Sequence, residues 1–313
     1  MPDSSISTST QNLLAQAASL LIYHSVLTGE AGQAFVALLE TMSQAQLATD
    51  DFSGLRAYGR WFRALAEQNQ NWQDYLLTRI LEDDNPFTQQ AQLQDFDQLP
   101  VSLTAAARHD LQVLQTLSQC GSEQVSEWVK TVFPLNRSPV VWSQTSYNPI
   151  LAQAKTVLQL SGDWGEGVSG LATFYCQNGV GLFAKYRAFR WQAGQLAGIA
   201  HPDPIRVTEL VGYDLQKEAL LKNTEFLLQG YPALHVLLYG SRGSGKSSLV
   251  KGLLQEYADR PLRLIEVAKS DLRDLPLIVD SLRQQPQKFI IFVDDLSFEE
   301  DDDAYKALKV VLE

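Results

Sequence analysis

His235-Val-Leu-Leu-Tyr-Gly240-Ser-Arg-Gly-Ser-Gly245-Lys246-Ser247 is the stretch on which the reading of this chain turns. From Gly240 to Ser247 it fits G-x-x-x-x-G-K-[ST] at every fixed position. The spacing has a chemical reason. Gly240, Gly243 and Gly245 let the backbone wrap closely, so that successive N–H groups around Ser241, Arg242 and Ser244 point at phosphate oxygens. A helix opening near Lys246 aims the amides of Lys246, Ser247 and Ser248 at the same anion. Lys246 is placed to bind β- and γ-phosphates, and the Ser247 hydroxyl to ligate Mg²⁺. The flanks give the motif its context. His235–Tyr239 is apolar and reads as a strand, and Lys246–Ala258 reads as a helix with Leu249, Val250, Leu253 and Leu254 on its inner side. A Gly/Ser-rich turn carrying a surface lysine is the plainer alternative.

Downstream, Leu262–Val267 reads as a strand, Leu272–Arg283 as a helix and Phe289–Val293 as a strand. Strand–helix alternation at these lengths predicts a parallel α/β sheet. Phe289-Ile-Ile-Phe-Val293 is an uninterrupted apolar run, as in a strand buried on both faces. It ends in Asp294-Asp295, 48 residues after Lys246 (294 − 246). Carboxylates at the C-terminal end of such a strand lie where α/β sheets bind ligands. Asp294 is expected to hold Mg²⁺ and Asp295 to orient the attacking water. Many ATPases of this kind carry Glu at the second position, and Asp is one methylene shorter, which matters for in-line positioning. The acidic run Glu299–Asp303 that follows reads as a solvated loop whose last acids favour the start of a helix near Ala304. Metal binding or contact with a neighbouring subunit is the sharper alternative.

The upstream part differs in kind. From Gln11 to about Gln124 the chain is rich in Ala, Leu and Gln. Leu13, Leu14, Ala17, Leu20 and Leu21 fall at helical spacing, as do Phe35, Leu38, Leu39 and Met42, and Leu55, Tyr58, Trp61, Phe62 and Leu65. Gly29, Asp50–Gly54 and Asn85–Pro86 read as breaks. Residues 1–170 are therefore expected to form a mainly helical domain, with the aromatic stripes in its core. Residues 171–206 read as a connecting segment with a hairpin, Phe189–Trp191 and Leu196–Ile199 flanking Ala193-Gly194. Lys185, Arg187 and Arg190 among Tyr186, Phe189 and Trp191 could line a nucleic-acid surface, but snorkelling cations on an amphipathic segment explain them more simply. His201-Pro-Asp-Pro204 marks the boundary before an α/β core at residues 207–313.

Composition narrows the function classes. The net charge is −11, with 12 Lys+Arg against 18 Asp+Glu in residues 1–206 and 13 against 18 in residues 207–313. Neither half offers the phosphate-neutralising surface of a sequence-independent nucleic-acid binder. Cys120 and Cys176 make no C-x-x-C pair and read as free buried thiols. No Lys or Arg precedes Arg56, so a signal peptide's positive start is absent, and no apolar run is long enough to span a bilayer. A cytoplasmic protein without membrane insertion is expected.

Val211-Gly-Tyr213, Gln216, Asn223-Thr224, the 237–250 stretch, Leu262–Val267, Phe292–Glu299, Tyr305-Lys306, Tyr186–Arg190 and His201–Arg206 together resemble an uncharacterised bacterial AAA+ ATPase family, catalogued as a domain of unknown function. The resemblance covers about residues 180–313. It implies a P-loop NTPase fold of AAA+ type, with adenine near Val211, Gly212 and Tyr213. It also implies a homo-oligomer. The sensor residue, arginine finger and helical lid of that family would follow Asp295, so the sequence is expected to be a fragment of a longer product. In such sheets the sensor strand separates the phosphate-loop strand from the strand ending at Asp294, and that position would be empty here.

Two functions follow. One is a Mg-ATPase whose turnover remodels an unidentified protein or nucleic-acid target. The other is a nucleotide-gated binding scaffold with little hydrolysis. A GTPase is disfavoured, because Ala268-Lys-Ser-Asp271 lacks the Asn of N-K-x-D and precedes the Asp294 strand.

Overall fold

The computed structural model describes residues 4–44, 52–133, 135–144, 149–159, 162–283 and 285–296. Glu299–Asp303 and the helix expected near Ala304 lie outside them. The chain divides into two compact units, Met1–Tyr175 and Cys176–Glu313.

The first unit is helical: α1 (Ser4–Ala18), α2 (Glu30–Ser43), α3 (Ser53–Gln68), α4 (Trp72–Glu82), α5 (Pro86–Ala91), α6 (Val101–Gln119), α7 (Ser122–Val132), α8 (Pro149–Gln159) and α9 (Val168–Asn178), the last running past the boundary. The breaks read from sequence are helix starts. Gly29 is the N-cap of α2, and the Asn85 side chain accepts from Phe87 and Thr88 N–H ahead of Pro86. Phe35, Leu38, Leu39 and Met42 are buried, and so are Tyr58, Trp61 and Leu65. Phe35 meets Trp61 at 5.5 Å and Trp72 at 4.3 Å between ring centroids. Each such side chain contributes about 1.5–3 kcal/mol through burial, so the aromatic stripes are core. Leu21 departs from its stripe and is 61% exposed. The reason is that α1 has ended, and the N–H groups of Leu21, Ile22 and Tyr23 turn instead onto the buried Asp110 carboxylate.

The second unit contains α10 (Gly181–Lys185), β1 (Ala188–Gln192), β2 (Gln195–Ile199), α11 (Asp214–Leu228), α12 (Lys246–Glu256), β3 (Leu262–Val267), α13 (Leu275–Leu282) and β4 (Lys288–Val293). The sheet runs β2-β1-β3-β4; the β1–β2 pair is antiparallel, and β1–β3 and β3–β4 are parallel. Alternate strand residues face opposite layers. Ala188, Leu262 and Leu264 pack with Leu249, Val250, Leu253 and Leu254 of α12, while Phe189, Trp191, Ile265 and Val267 pack with Ile278 and Leu282 of α13. The hairpin turns at Ala193 (φ 51°) and Gly194 (φ 78°), two positive φ values as a two-residue hairpin turn of this hand requires.

Four expectations change. The hairpin is no connecting element, because β1 pairs with β3 inside the sheet; that pairing spans 76 residues between Arg190 and Glu266 and leaves no local trace in sequence. His235–Tyr239 forms no strand and belongs to no ladder among the described residues. A strand needs a partner to satisfy its backbone, and the outer edge of β4 pairs with no described strand. The helix expected over Leu272–Arg283 begins as a 3-10 turn, Lys269–Asp274, and becomes α-helical at Leu275, with Pro276 in its first turn where no N–H is needed. Of the two free cysteines only Cys120 is buried; Cys176 is exposed. Burial pushes the Cys120 thiol up to about 12.

Candidate functional site

The residues of the Gly240–Ser247 loop come together where α12 begins. Gly240 (φ 149°), Gly243 (φ 80°) and Gly245 (φ 83°) all adopt backbone that L side chains rarely take, so the loop depends on its glycines. Gly245 is the N-cap of α12 and supplies no side-chain cap, and the first turn holds no acid. The N–H groups at this end therefore face outward with the positive end of the helix dipole. Lys246 curls back over the loop. Its ammonium donates to Gly240 O (3.1 Å), Ser241 O (2.9 Å) and Ser244 Oγ (3.4 Å).

The second half of the site arrives from β4. The Ser247 hydroxyl lies 2.8 Å from both carboxylate oxygens of Asp294. Residues 47 apart in sequence thus meet side chain to side chain. Asp295 adopts φ 48°, an uncommon backbone for a non-glycine residue though Asp tolerates it better than most, and its N–H donates to Asp294 Oδ1 at 3.0 Å. The Asp295 carboxylate is exposed and makes no hydrogen bond among the described residues. Hydroxyl and carboxylate oxygens at one spot suit a hard cation such as Mg²⁺, which keeps most of its shell from water and phosphate. Among the described residues no group of three or more His, Cys, Asp or Glu side chains is placed to hold a metal.

Arg242 is exposed at the loop tip, and Ser248 is partly buried in the first turn of α12. Val211, Gly212 and Tyr213 are not drawn into this cluster. Val211 is 94% and Tyr213 56% exposed, with positive φ at Gly212 and Tyr213 just before α11. No hydrogen bond among the described residues joins them to Gly240–Ser247. Closer to α12 are Ile205 and Val207, which lie against Gly252.

Sequence reading missed the role of Asn223. Its side-chain amide accepts from Leu234 N–H and donates to Leu234 O, both at 2.8 Å, and so holds the chain that leads into the loop. No spacing rule announces such a clamp. It also missed Arg263, which is 5% exposed and donates to Phe183 O, Asn178 O and Leu262 O. Burial, and then Arg187, holds its guanidinium down to about 10. The basic residues near β1 are engaged locally: Arg187 donates to Tyr257 O, Arg190 pairs with Glu266 at 2.9 Å, and Lys185 lies over the Tyr186 ring. These contacts fit the snorkelling reading better than a nucleic-acid surface.

Residues 184–313 match the model of a family described as a protein of unknown function, DUF815. The match begins inside α10 and takes in all four strands. No curated protein and no solved structure matches. Among the described residues no helix is long and apolar enough to cross a membrane.

Proposed function

We propose that the second unit is an ATP-binding P-loop module of AAA+ type and that the chain is a cytoplasmic Mg-ATPase, acting as a homo-oligomer on a protein or nucleic-acid target. The observation that carries this reading is the 2.8 Å meeting of Ser247 Oγ with Asp294 at the uncapped start of α12. It puts the motif's hydroxyl, an acidic strand end and a helix N-terminus at one point. The loop amides would cradle the phosphates and Lys246 would swing from Gly240 O and Ser241 O onto the β/γ-phosphates. Ser247 and Asp294 would hold Mg²⁺, which when bound neutralises phosphate charge. Asp295 would orient the attacking water. Val211–Tyr213 remain the adenine contact that the family resemblance implies.

Titration calorimetry with Mg-ATP and Mg-GTP tests the assignment. ATP should bind the wild-type chain in preference to GTP, and Lys246→Ala should weaken ATP binding by roughly ten- to a hundredfold, the range for losing a charge-assisted hydrogen bond. Unchanged affinity in that variant would falsify it. The scaffold reading draws on Asp295 standing where many such ATPases carry the longer Glu, and it predicts ATP binding without steady phosphate release.

A further inference from the structure

The end of α11 turns the chain toward the candidate site. Gly230 takes φ 80° after the Gln229 cap, its N–H donates to Leu227 O at 3.1 Å, and the Tyr231 N–H reaches back to Phe226 O at 2.9 Å. A left-handed glycine closes the helix in this way, and the apolar contact that accompanies such a closure is the Phe226–Tyr231 ring pair, 6.2 Å between centroids. The chain then runs back along α11 and brings Leu234 beside Asn223, 11 residues earlier. Asn223 grips that one residue twice: its side-chain amide accepts from Leu234 N–H and donates to Leu234 O, each at 2.8 Å. An antiparallel neighbour would exchange the same pair of bonds. Among the described residues no strand does so for this segment, because the sheet consists of β1 to β4.

Asn223 lies in the interior of α11, where Asn is a poorer helix former than Ala. Its local cost is matched by what it holds. α11 is itself fixed: Leu220 and Thr224 are buried, Tyr257 at the end of α12 donates to Leu221 O at 3.0 Å, and Arg260 pairs with Glu225 at 3.5 Å. A braced helix thus holds the entry to the Gly240–Ser247 loop through the Asn223 amide, with Leu238 packed onto the core in between. The exit is α12, buried along Leu249, Val250, Leu253 and Leu254. We infer, given the ATP-binding reading of this unit, that Asn223 is a positioning residue for phosphate binding, acting through Leu234 on the Gly240–Ser247 loop. Backbone N–H groups bind an anion best when they are aimed before it arrives, because ordering them on binding costs affinity. Three glycines with positive φ leave this loop little stiffness of its own. Asn223 supplies it from outside, without touching the ligand.

Titration calorimetry of the full chain with Mg-ATP and with Mg-tripolyphosphate, paired with urea unfolding, tests this. Asn223→Ala should weaken both ligands by about tenfold, the scale of losing two exposed hydrogen bonds. Both should suffer alike, because they share the loop and only ATP has a base. The urea midpoint should hold or rise slightly, since Ala favours the helix. Asn223→Gln keeps both amide groups on a longer stem and should bind with an affinity between those of wild type and Asn223→Ala. Without ligand, trypsin should cut after Arg242, exposed at the loop tip, roughly three- to tenfold faster in Asn223→Ala than in wild type, because cleavage follows the population of the loosened loop. Wild-type binding with unchanged affinity in Asn223→Ala, a urea midpoint that falls with the affinity, or equal cleavage at Arg242 overturns the inference alone. A wild-type chain that binds neither ligand overturns the ATP reading as well.

Discussion

β3 and the His235–Tyr239 segment read alike in sequence and fare differently in the fold. Both are short and mostly apolar, and both were expected to be strands. Leu262–Val267 is paired on both sides, and Leu264 and Ile265 are 5% and 0% exposed. His235–Tyr239 pairs with no described strand; Leu237 is 76% and Tyr239 90% exposed, and of its residues Leu238 packs onto the core. Apolar character makes a segment able to be a strand, and partners make it one. The contrast bears on the site, because its halves hang from unequal supports. Asp294 follows β4, which is pinned along its length to β3, whereas the Gly240–Ser247 loop follows a segment that pairs with no described strand and is held at Leu234 by Asn223.

Hydrogen exchange should show the largest effect. Amides of Leu264–Glu266 should be protected by about 10⁴-fold or more over those of Val236–Tyr239, since a central strand opens only with the unit while a solvated segment opens freely. Adding Mg-ATP should then slow exchange most from Gly240 to Leu249 and least in β3. Strong protection in both Leu237–Tyr239 and Ile290–Val293 without ligand would sink the idea of an empty sheet position between them. It would favour their direct pairing instead.

Next in size is catalysis on the firmer side of the site. Asp295→Asn should retain ATP and slow phosphate release by roughly 10²–10⁴-fold, the usual range for removing a general base. Equal turnover would move the role elsewhere, with Glu299 the next candidate.

Stability measurements then set the two segments against each other. Ile265→Ala should cost about 2–5 kcal/mol in urea unfolding, as a large-to-small change in a closed core does. Leu237→Ala should stay within about 0.5 kcal/mol, as exposed substitutions do. A large loss for Leu237→Ala would mean that something covers this segment in solution.

Much of this was legible beforehand, for identifiable reasons. The glycines at 240, 243 and 245 and the spacing to Asp294 mark the loop and its acidic partner, because backbone wrapping and strand-end chemistry constrain residue type at each position. The apolar periodicities of α2, α3 and α12 are likewise local. What sequence reading missed depends on distant pairing. β1 was assigned to a linker, although it lies inside the sheet. His235–Tyr239 was assigned to a strand, although strand state requires a neighbour. Asn223 and Arg263 act through main-chain groups far along the chain, and their own types foretell nothing of it.

The placement of β1 has a consequence for the order in which the unit is made. The β1–β2 hairpin leaves the ribosome about 4–15 s before β3 does, given the 76-residue spacing and synthesis at about 5–20 residues per second. During that interval Phe189 and Trp191 have neither β3 beside them nor α13 above them. The hairpin can close early through its Ala193-Gly194 turn, but its apolar face waits for a partner that is still being translated. Slow, non-local closure of this kind limits folding rate through topology, and it makes the nascent hairpin the point at which the unit is most open to chaperone capture or misassembly.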